Sequence, residues 1–252
     1  MKIAGIVPFA EDASILSNAD YFKSHIPNAE ALQVFWTGTI VPGETSSDLA
    51  ADMGNTLEVI RSAEKKGFDA VILFCHMDFG LEEARELVRI PVLGATETSL
   101  HLGSILGRRM CVITPNEPIK RGIEYRVRAY GLDNMVTTRS IGISANGMEP
   151  YYAEYLKSGV YGEVLDKLVS VAIKAIKEDD ATVLMPGCGS MLWLVDAATK
   201  KLKEKSYDIP FINPIPTMIE LAQALVNLGL TQSRIVYPGF KWLSGSPKFK
   251  IS

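Results

Sequence analysis

Residues 180–191 read Asp180-Ala-Thr-Val-Leu-Met-Pro-Gly-Cys-Gly-Ser-Met191. Residues 181–185, apolar but for Thr182, have the length and character of a strand buried on both faces, and Pro186 ends it. Gly187 and Gly189 bracket Cys188, so the thiol can be approached closely from both sides. Ser190 stands where an N-cap would open a helix over 191–203, and a thiol just ahead of a helix N-terminus is favoured as thiolate. A buried, inert packing cysteine is the alternative reading of the same residues.

Working outward, the arrangement recurs. Asp69-Ala-Val-Ile-Leu-Phe-Cys-His-Met-Asp78 is again an apolar strand with a cysteine at its C-terminal end, and Asp78 stands as a cap before a helix over 79–88. The copies continue in parallel: Ile90-Pro-Val-Leu-Gly94 then Thr98-Ser-Leu-His-Leu102 has its counterpart in Ile209-Pro-Phe-Ile-Asn213 then Thr217-Met-Ile-Glu-Leu221. Two cysteines occupy equivalent places in two halves.

The first half reads as strands at 2–7, 31–36, 70–74 and 90–93, with helices over 11–25, 48–66, 79–88 and 98–106. The second restarts at 109–115, continues with a helix over 117–130 and a strand over 135–143, then helical sequence to 177 broken near Ser158-Gly159. The Cys188 and Ile209 strands follow, and a last helix whose start, Thr217-Met-Ile-Glu220, fits a capping box. Such a duplicated βα array predicts an α/β fold: two similar parallel-sheet lobes related by a pseudo-twofold axis, with helices on both faces of each sheet and the site in the cleft between them. Residues 1–107 with 214–252 form the expected first lobe and 108–213 the second, the tail from 229 wrapping back over the first half. Ligands of such sheets bind beyond the carboxyl ends of the strands, where both cysteines fall.

Bulk properties set the class. With 252 residues, 47% hydrophobic, 22% charged and a net charge of -3, the chain reads as an ordinary soluble protein with a substantial core. No basic stripe points to nucleic acid, and no run approaches membrane-spanning length. Three cysteines without a secretory signal suit reduced thiols in the cytoplasm. Among three histidines, His25 and His101 lie in predicted helices far from the strand ends, which disfavours a histidine metal site. No Walker loop, Gly-x-Gly-x-x-Gly, Cys-x-x-Cys or His-Glu-x-x-His occurs.

A cleft with a thiol on each wall suits inversion of a carbon acid: one thiolate takes a proton from a stereocentre beside a carbonyl, and the opposite thiol returns one to the other face. That chemistry needs neither metal nor organic cofactor. At these segments, Gly67-Phe-Asp-Ala-Val-Ile-Leu-Phe-Cys75 and Ala181-Thr-Val-Leu-Met-Pro-Gly-Cys-Gly189, the chain resembles the aspartate/glutamate/hydantoin racemase superfamily, and Glu220-Leu-Ala-Gln-Ala-Leu-Val-Asn-Leu-Gly-Leu230 strengthens the match. Residues 81–94 followed by Glu97 look most like its hydantoin and allantoin racemase branch. The resemblance implies a cofactor-independent racemase acting on a small molecule, with Cys75 and Cys188 as the two bases, and a homo-oligomer. It also implies a pocket lined by Pro8, Phe9, the backbone after Cys75, Thr114, Pro115, Gly189 and Ser190.

The sequence departs from that pattern after Cys75, where His76-Met77-Asp78 replaces the aromatic residue and Asp-Asp-Pro usual in hydantoin racemases, or the Asn-Thr of amino-acid racemases. His76 could orient a substrate carbonyl, lower the pKa of Cys75 by its charge, or be a surface histidine. Met77 belongs to the same turn, and Glu97 could meet substrate or serve the dipole of a helix N-terminus. Cys111 reads as core packing. Tyr151, Tyr152 and Tyr155 could close over substrate or form a packed helix face. A maleate-type cis-trans isomerase, an amino-acid racemase and a malonate decarboxylase share the fold. A two-lobed binding protein without turnover is the alternative of another class.

Overall fold

The computed structural model describes residues 1–9, 31–38 and 46–239. The predicted helix over 11–25, with His25, and most of the loop at 37–47 lie outside them. The described strands form two parallel sheets. In the first, β1 (Ile3–Val7), β2 (Leu32–Trp36), β3 (Ala70–Leu73) and β4 (Val92–Gly94) run in the order β2-β1-β3-β4; in the second, β5 (Met110–Thr114), β6 (Val136–Ser140) and β7 (Val183–Pro186) run β6-β5-β7.

The two ladders share one register. Ile3 pairs with Ala70 and Ile6 with Leu73, while Met110 pairs with Val183 and Ile113 with Pro186. The Phe74 N–H then donates to the Ile6 carbonyl at 2.8 Å, and the Gly187 N–H to that of Ile113 at 2.8 Å. Cys75 and Cys188 each follow by one residue.

The second copy is shorter at its edge. The strand expected at 209–212 is a single bridge between Leu184 and Phe211. The Leu184 N–H donates to Pro210 at 2.9 Å and the Ile212 N–H returns to Leu184 at 2.8 Å. Alternation along a parallel strand brings Pro186 to that side next, and proline has no N–H to continue the ladder, whereas Leu73 goes on to pair with Gly94.

Helices cover both faces of the sheets. The predicted helix at 48–66 is two, α1 (Ser46–Ala51) and α2 (Met53–Lys65), broken at Asp52. They are followed by α3 (Leu81–Leu87), α4 (Ala95–Leu106), α5 (Glu117–Ala129), α6 (Glu149–Ser158), α7 (Gly162–Glu178), α8 (Val195–Glu204) and α9 (Pro214–Asn227). Gly159, at φ 71°, ends α6 in the left-handed conformation that glycine adopts without penalty. The helix predicted at 191–203 opens instead as a 3-10 segment, Gly189–Leu194, ahead of α8. The capping box expected at 217–220 does not form, because Pro214, pre-set for a first helical turn, starts α9 earlier. Asn213 caps it, accepting from the Ile215 N–H at 3.2 Å, and the Thr217 hydroxyl donates back to the Asn213 carbonyl at 2.8 Å.

Strand alternation sorts the core. Ala4, Ile6, Val71 and Leu73 pack with Ile60, Ala63, Leu81 and Ala84 of α2 and α3. Ile3, Val7, Ala70 and Ile72 face the other way, into one cluster that also holds Ile113 and Leu184 of the second sheet, Leu168 of α7, and Ile215 and Met218 of α9. The two sheets thus share continuous apolar packing. Residues 231–237 return over the first half, where the Gln232 amide pairs with both backbone groups of edge residue Val92, at 3.1 and 3.0 Å. Arg234 donates to the Arg85 carbonyl at 3.0 Å and to that of Val88. No helix among the described residues is long and apolar enough to cross a membrane.

Candidate active site

Both cysteines lie on turns beyond the C-terminal ends of strands, Cys75 after β3 inside the first sheet and Cys188 after β7, the outer named strand of the second. Pro8 and Phe9 follow β1, beside Cys75, and Pro115 follows β5, beside Cys188. The register makes Val7 and Pro8 the counterparts of Thr114 and Pro115. Gly187 is required by a close approach: a Cβ there would stand 2.5 Å from the Thr114 methyl and 2.9 Å from Val112.

The settings of the two thiols differ. Cys75 is 4% exposed, and burial pushes its pKa up to about 12, against the Met77 and Phe79 N–H groups, which favour its anion. The charges of Asp78 and Cys188 push it further in the same direction. Cys188 is partly exposed, and the Ser190 hydroxyl donates toward its sulfur at 3.3 Å. Cys111 is fully buried in β5, with its pKa raised by burial to about 11, as its reading as core packing requires.

The Cys75 turn is held by the second half of the chain, which the sequence did not reveal. Asp78, fully buried at φ 46°, does not cap the helix that follows it. Its carboxylate caps α4 instead, accepting from the Thr96 and Glu97 N–H groups at 3.1 and 2.7 Å and from the Tyr130 hydroxyl at 2.8 Å. Helix α3 begins after Gly80 with no side-chain cap. Arg126 of α5 donates to the Met77 carbonyl at 2.6 Å and pairs with Glu82 at 3.6 Å, while the Met77 sulfur lies over Gly122. Tyr130 and Arg126 are 52 and 49 residues from their partners, so no local pattern marks them.

His76 is neither a surface group nor a cation. It is 6% exposed, both ring nitrogens are without hydrogen-bond partners among the described residues, and burial drives its pKa down to about 3. A neutral imidazole cannot lower the pKa of Cys75 by charge. Glu97 is likewise committed elsewhere: its carboxylate receives the guanidinium of Arg85, one of the two bonds measuring 3.0 Å, and Arg85 also donates to the Val92 carbonyl and to Tyr237. The Thr114 hydroxyl lies 3.0 Å from the Asn116 carbonyl and 3.2 Å from that of Arg139, both acceptors for its proton.

On the Cys188 side the aromatic residues form a packed support and not a cover. Trp193 donates its indole N–H to the Ser190 carbonyl at 2.9 Å and packs against Tyr152, Tyr155 and Tyr161 with centroids 5.2–5.6 Å apart. Tyr151 points to Glu163 instead, at 2.7 Å. The site thus sets two thiols on matching turns of a duplicated parallel sheet, one sealed and one accessible.

The family model for Asp/Glu/Hydantoin racemase matches residues 20–222. The chain belongs to that family. It is 30% identical over 215 residues to a hydantoin racemase of Rhizobium meliloti, covering 83% of each chain. It is 28% identical over 195 residues to one from Pseudomonas sp. (strain NS671), covering 76% of this chain and 72% of the other. Among solved structures, the allantoin racemase from Klebsiella pneumoniae superposes with a TM-score of 0.79 at 23% identity, over 97% of this chain and 96% of that one. The racemase family's two-lobed α/β fold is the architecture seen here, the likeness falls in the hydantoin and allantoin branch, and the chain is an isomerase of the racemase class.

Proposed function

We propose that the chain racemises a cyclic ureide, a 5-substituted hydantoin or allantoin, by proton transfer between Cys75 and Cys188 without a cofactor. The observation that carries the reading is the shared register, which gives each half one thiol at the same station of its sheet. The hydantoin racemase relatives and the Gly-Ser-Met that follows Cys188 favour the ureide. Pro8, Phe9, Thr114, Pro115, Gly189 and Ser190 then border the ring.

Each cysteine serves as base for one enantiomer and as acid for the other; in one direction Cys188 is the base and Cys75 the acid. Cys188 takes the proton from the ring carbon next to the carbonyl, and the electron pair delocalises onto the carbonyl oxygen. Cys75 then gives its proton to the opposite face. The Met77 and Phe79 N–H groups meet the thiolate left on Cys75, which makes the reverse passage possible.

The test is proton NMR in deuterium oxide with single enantiomers of 5-substituted hydantoins, allantoin, aspartate, glutamate and maleate, alongside optical rotation. Loss of the ring C–H signal together with loss of rotation is expected for a ureide, and Cys75→Ala and Cys188→Ala each abolish racemisation. Full activity in either variant would overturn the two-thiol reading, and turnover of an acyclic substrate alone would overturn the ureide.

A further inference from the structure

Arg85 of α3 has a side chain only 7% exposed, and all five of its guanidinium N–H groups are engaged. Nε and Nη2 donate to the Val92 carbonyl at 3.2 Å each, and Nη1 donates to Glu97 at 3.0 Å and to the Tyr237 hydroxyl oxygen at 3.3 Å. The second Nη2 proton goes to the other Glu97 oxygen. The Tyr237 ring also faces the guanidinium carbon, 5.6 Å from its centroid. The partners belong to three separate pieces of the fold: β4, the first turn of α4 and the strap at 231–237.

The strap is itself fixed. The Thr231 hydroxyl donates to the Arg89 carbonyl at 2.9 Å, Gln232 brackets Val92, and Arg234 donates to the carbonyl of Arg85 itself at 3.0 Å. On its other side the first turn of α4 grips the Cys75 turn at three points. The Thr96 and Glu97 N–H groups donate to the Asp78 carboxylate, the Thr96 hydroxyl donates to the His76 carbonyl, and the Asp78 N–H closes back on the Cys75 carbonyl at 2.9 Å. Glu97 thus faces Arg85 with its side chain and the Cys75 turn with its backbone. In the second copy, where Thr217 matches Thr98, Pro216 stands in the place of Glu97 and offers neither carboxylate nor N–H.

We infer that Arg85 is a positioning residue for Cys75, and that residues 231–237 hold Arg85 to that task. The inference rests on the reading of Cys75 as one of the two acid-base groups. A guanidinium is a planar fork, so engaging every donor fixes β4, α4 and the strap relative to one another, which a single flexible ammonium does not do. Removing the Tyr237 hydroxyl leaves a buried N–H of Arg85 unpaired. Either change loosens the first turn of α4 and, through Asp78, the turn that aims Cys75. The second thiol has no stake in this clamp.

The test compares wild type with Arg85→Lys, which keeps the charge opposite Glu97, and with Tyr237→Phe, which keeps the ring. Single-enantiomer hydantoin or allantoin kinetics should show kcat lowered about tenfold or more in Arg85→Lys, with a smaller fall in Tyr237→Phe and KM within about twofold in both. Amide exchange, which needs no substrate, should be about fivefold faster or more at residues 76–79 and 96–97, with residues 187–190 unchanged. Unchanged kcat in both variants of an active enzyme would overturn the inference, as would exchange that rises equally at the two cysteine turns or at neither. A wild type that racemises no ureide would instead overturn the reading of the site, and amide exchange alone would then decide whether Arg85 holds the Cys75 turn. Should Arg85→Lys fail to fold, Tyr237→Phe carries the same comparison.

Discussion

At Cys75 the sulfur lies under 4% exposure with its pKa pushed up to about 12, while Cys188 is partly open. Alkylation by iodoacetamide at neutral pH should therefore label Cys188 well before Cys75 or Cys111; peptide mapping that found Cys75 labelled first would contradict the burial described. Tyr130 and Arg126 hold the Cys75 turn through Asp78 and the Met77 carbonyl, which on the proposed two-thiol mechanism makes them positioning residues. A displacement of about 1 Å can cost a hundredfold in rate, so Tyr130→Phe should lower kcat on the order of tenfold or more with KM little changed. A variant that changed melting temperature but neither constant would assign Tyr130 a structural role alone. Asp78 carries a pH signature. Burial raises its pKa to about 6 from 3.8, so the folded state holds a proton that the unfolded chain has lost, and stability falls as pH rises between those values. Urea titrations of wild type against Asp78→Asn should show that difference, on the order of 1 kcal/mol per pH unit, and a flat difference would remove Asp78 as its source. Residues of this kind were least legible beforehand. Cys75 and Cys188 announce themselves by apolar runs and glycines around them, but Asp78 reads as a local cap until the fold brings α4 and Tyr130 to it.

At the scale of elements, strand positions were readable because each buried run is punctuated by proline, glycine or a charged residue, and seven of the eight expected strands form. The eighth fails for a reason visible only in the ladder, since Pro186 matters by the side to which its missing N–H would point. Helix starts were harder, because caps are chosen by where the chain enters. Asn116 caps α5 through the Ile119 N–H at 3.1 Å, and Asn213 caps α9. Asn116→Ala and Asn213→Ala should each cost about 1 kcal/mol in chemical denaturation, an effect that Thr217→Ala would exceed only if the capping box governed the start of α9. Gly187→Ala tests the close approach of β7 to β5: the methyl group would have to displace Thr114 and Val112, at about 1–3 kcal/mol. A neutral result would mean that the turn relaxes freely.

Across the whole molecule, the apolar cluster that joins Ile3 and Ile72 to Ile113, Leu184 and Met218 leaves no seam between the sheets. Calorimetry should record one transition with matching calorimetric and van't Hoff enthalpies; two separable transitions would show that each half holds its own core. The duplication was legible in the repeat of strand, cysteine and Ile-Pro segments, whereas the cross-bracing by α5 was not, because it arises between copies and leaves no trace within either. The copies match in ladder but not in surroundings, and for a racemase this asymmetry meets a thermodynamic limit. Mirror-image substrates have equal free energies, so the efficiency kcat/KM in the two directions must be identical however unlike the walls. One sealed and one open thiol can then leave their mark only as compensating changes, the enantiomer held more tightly being turned over proportionately more slowly.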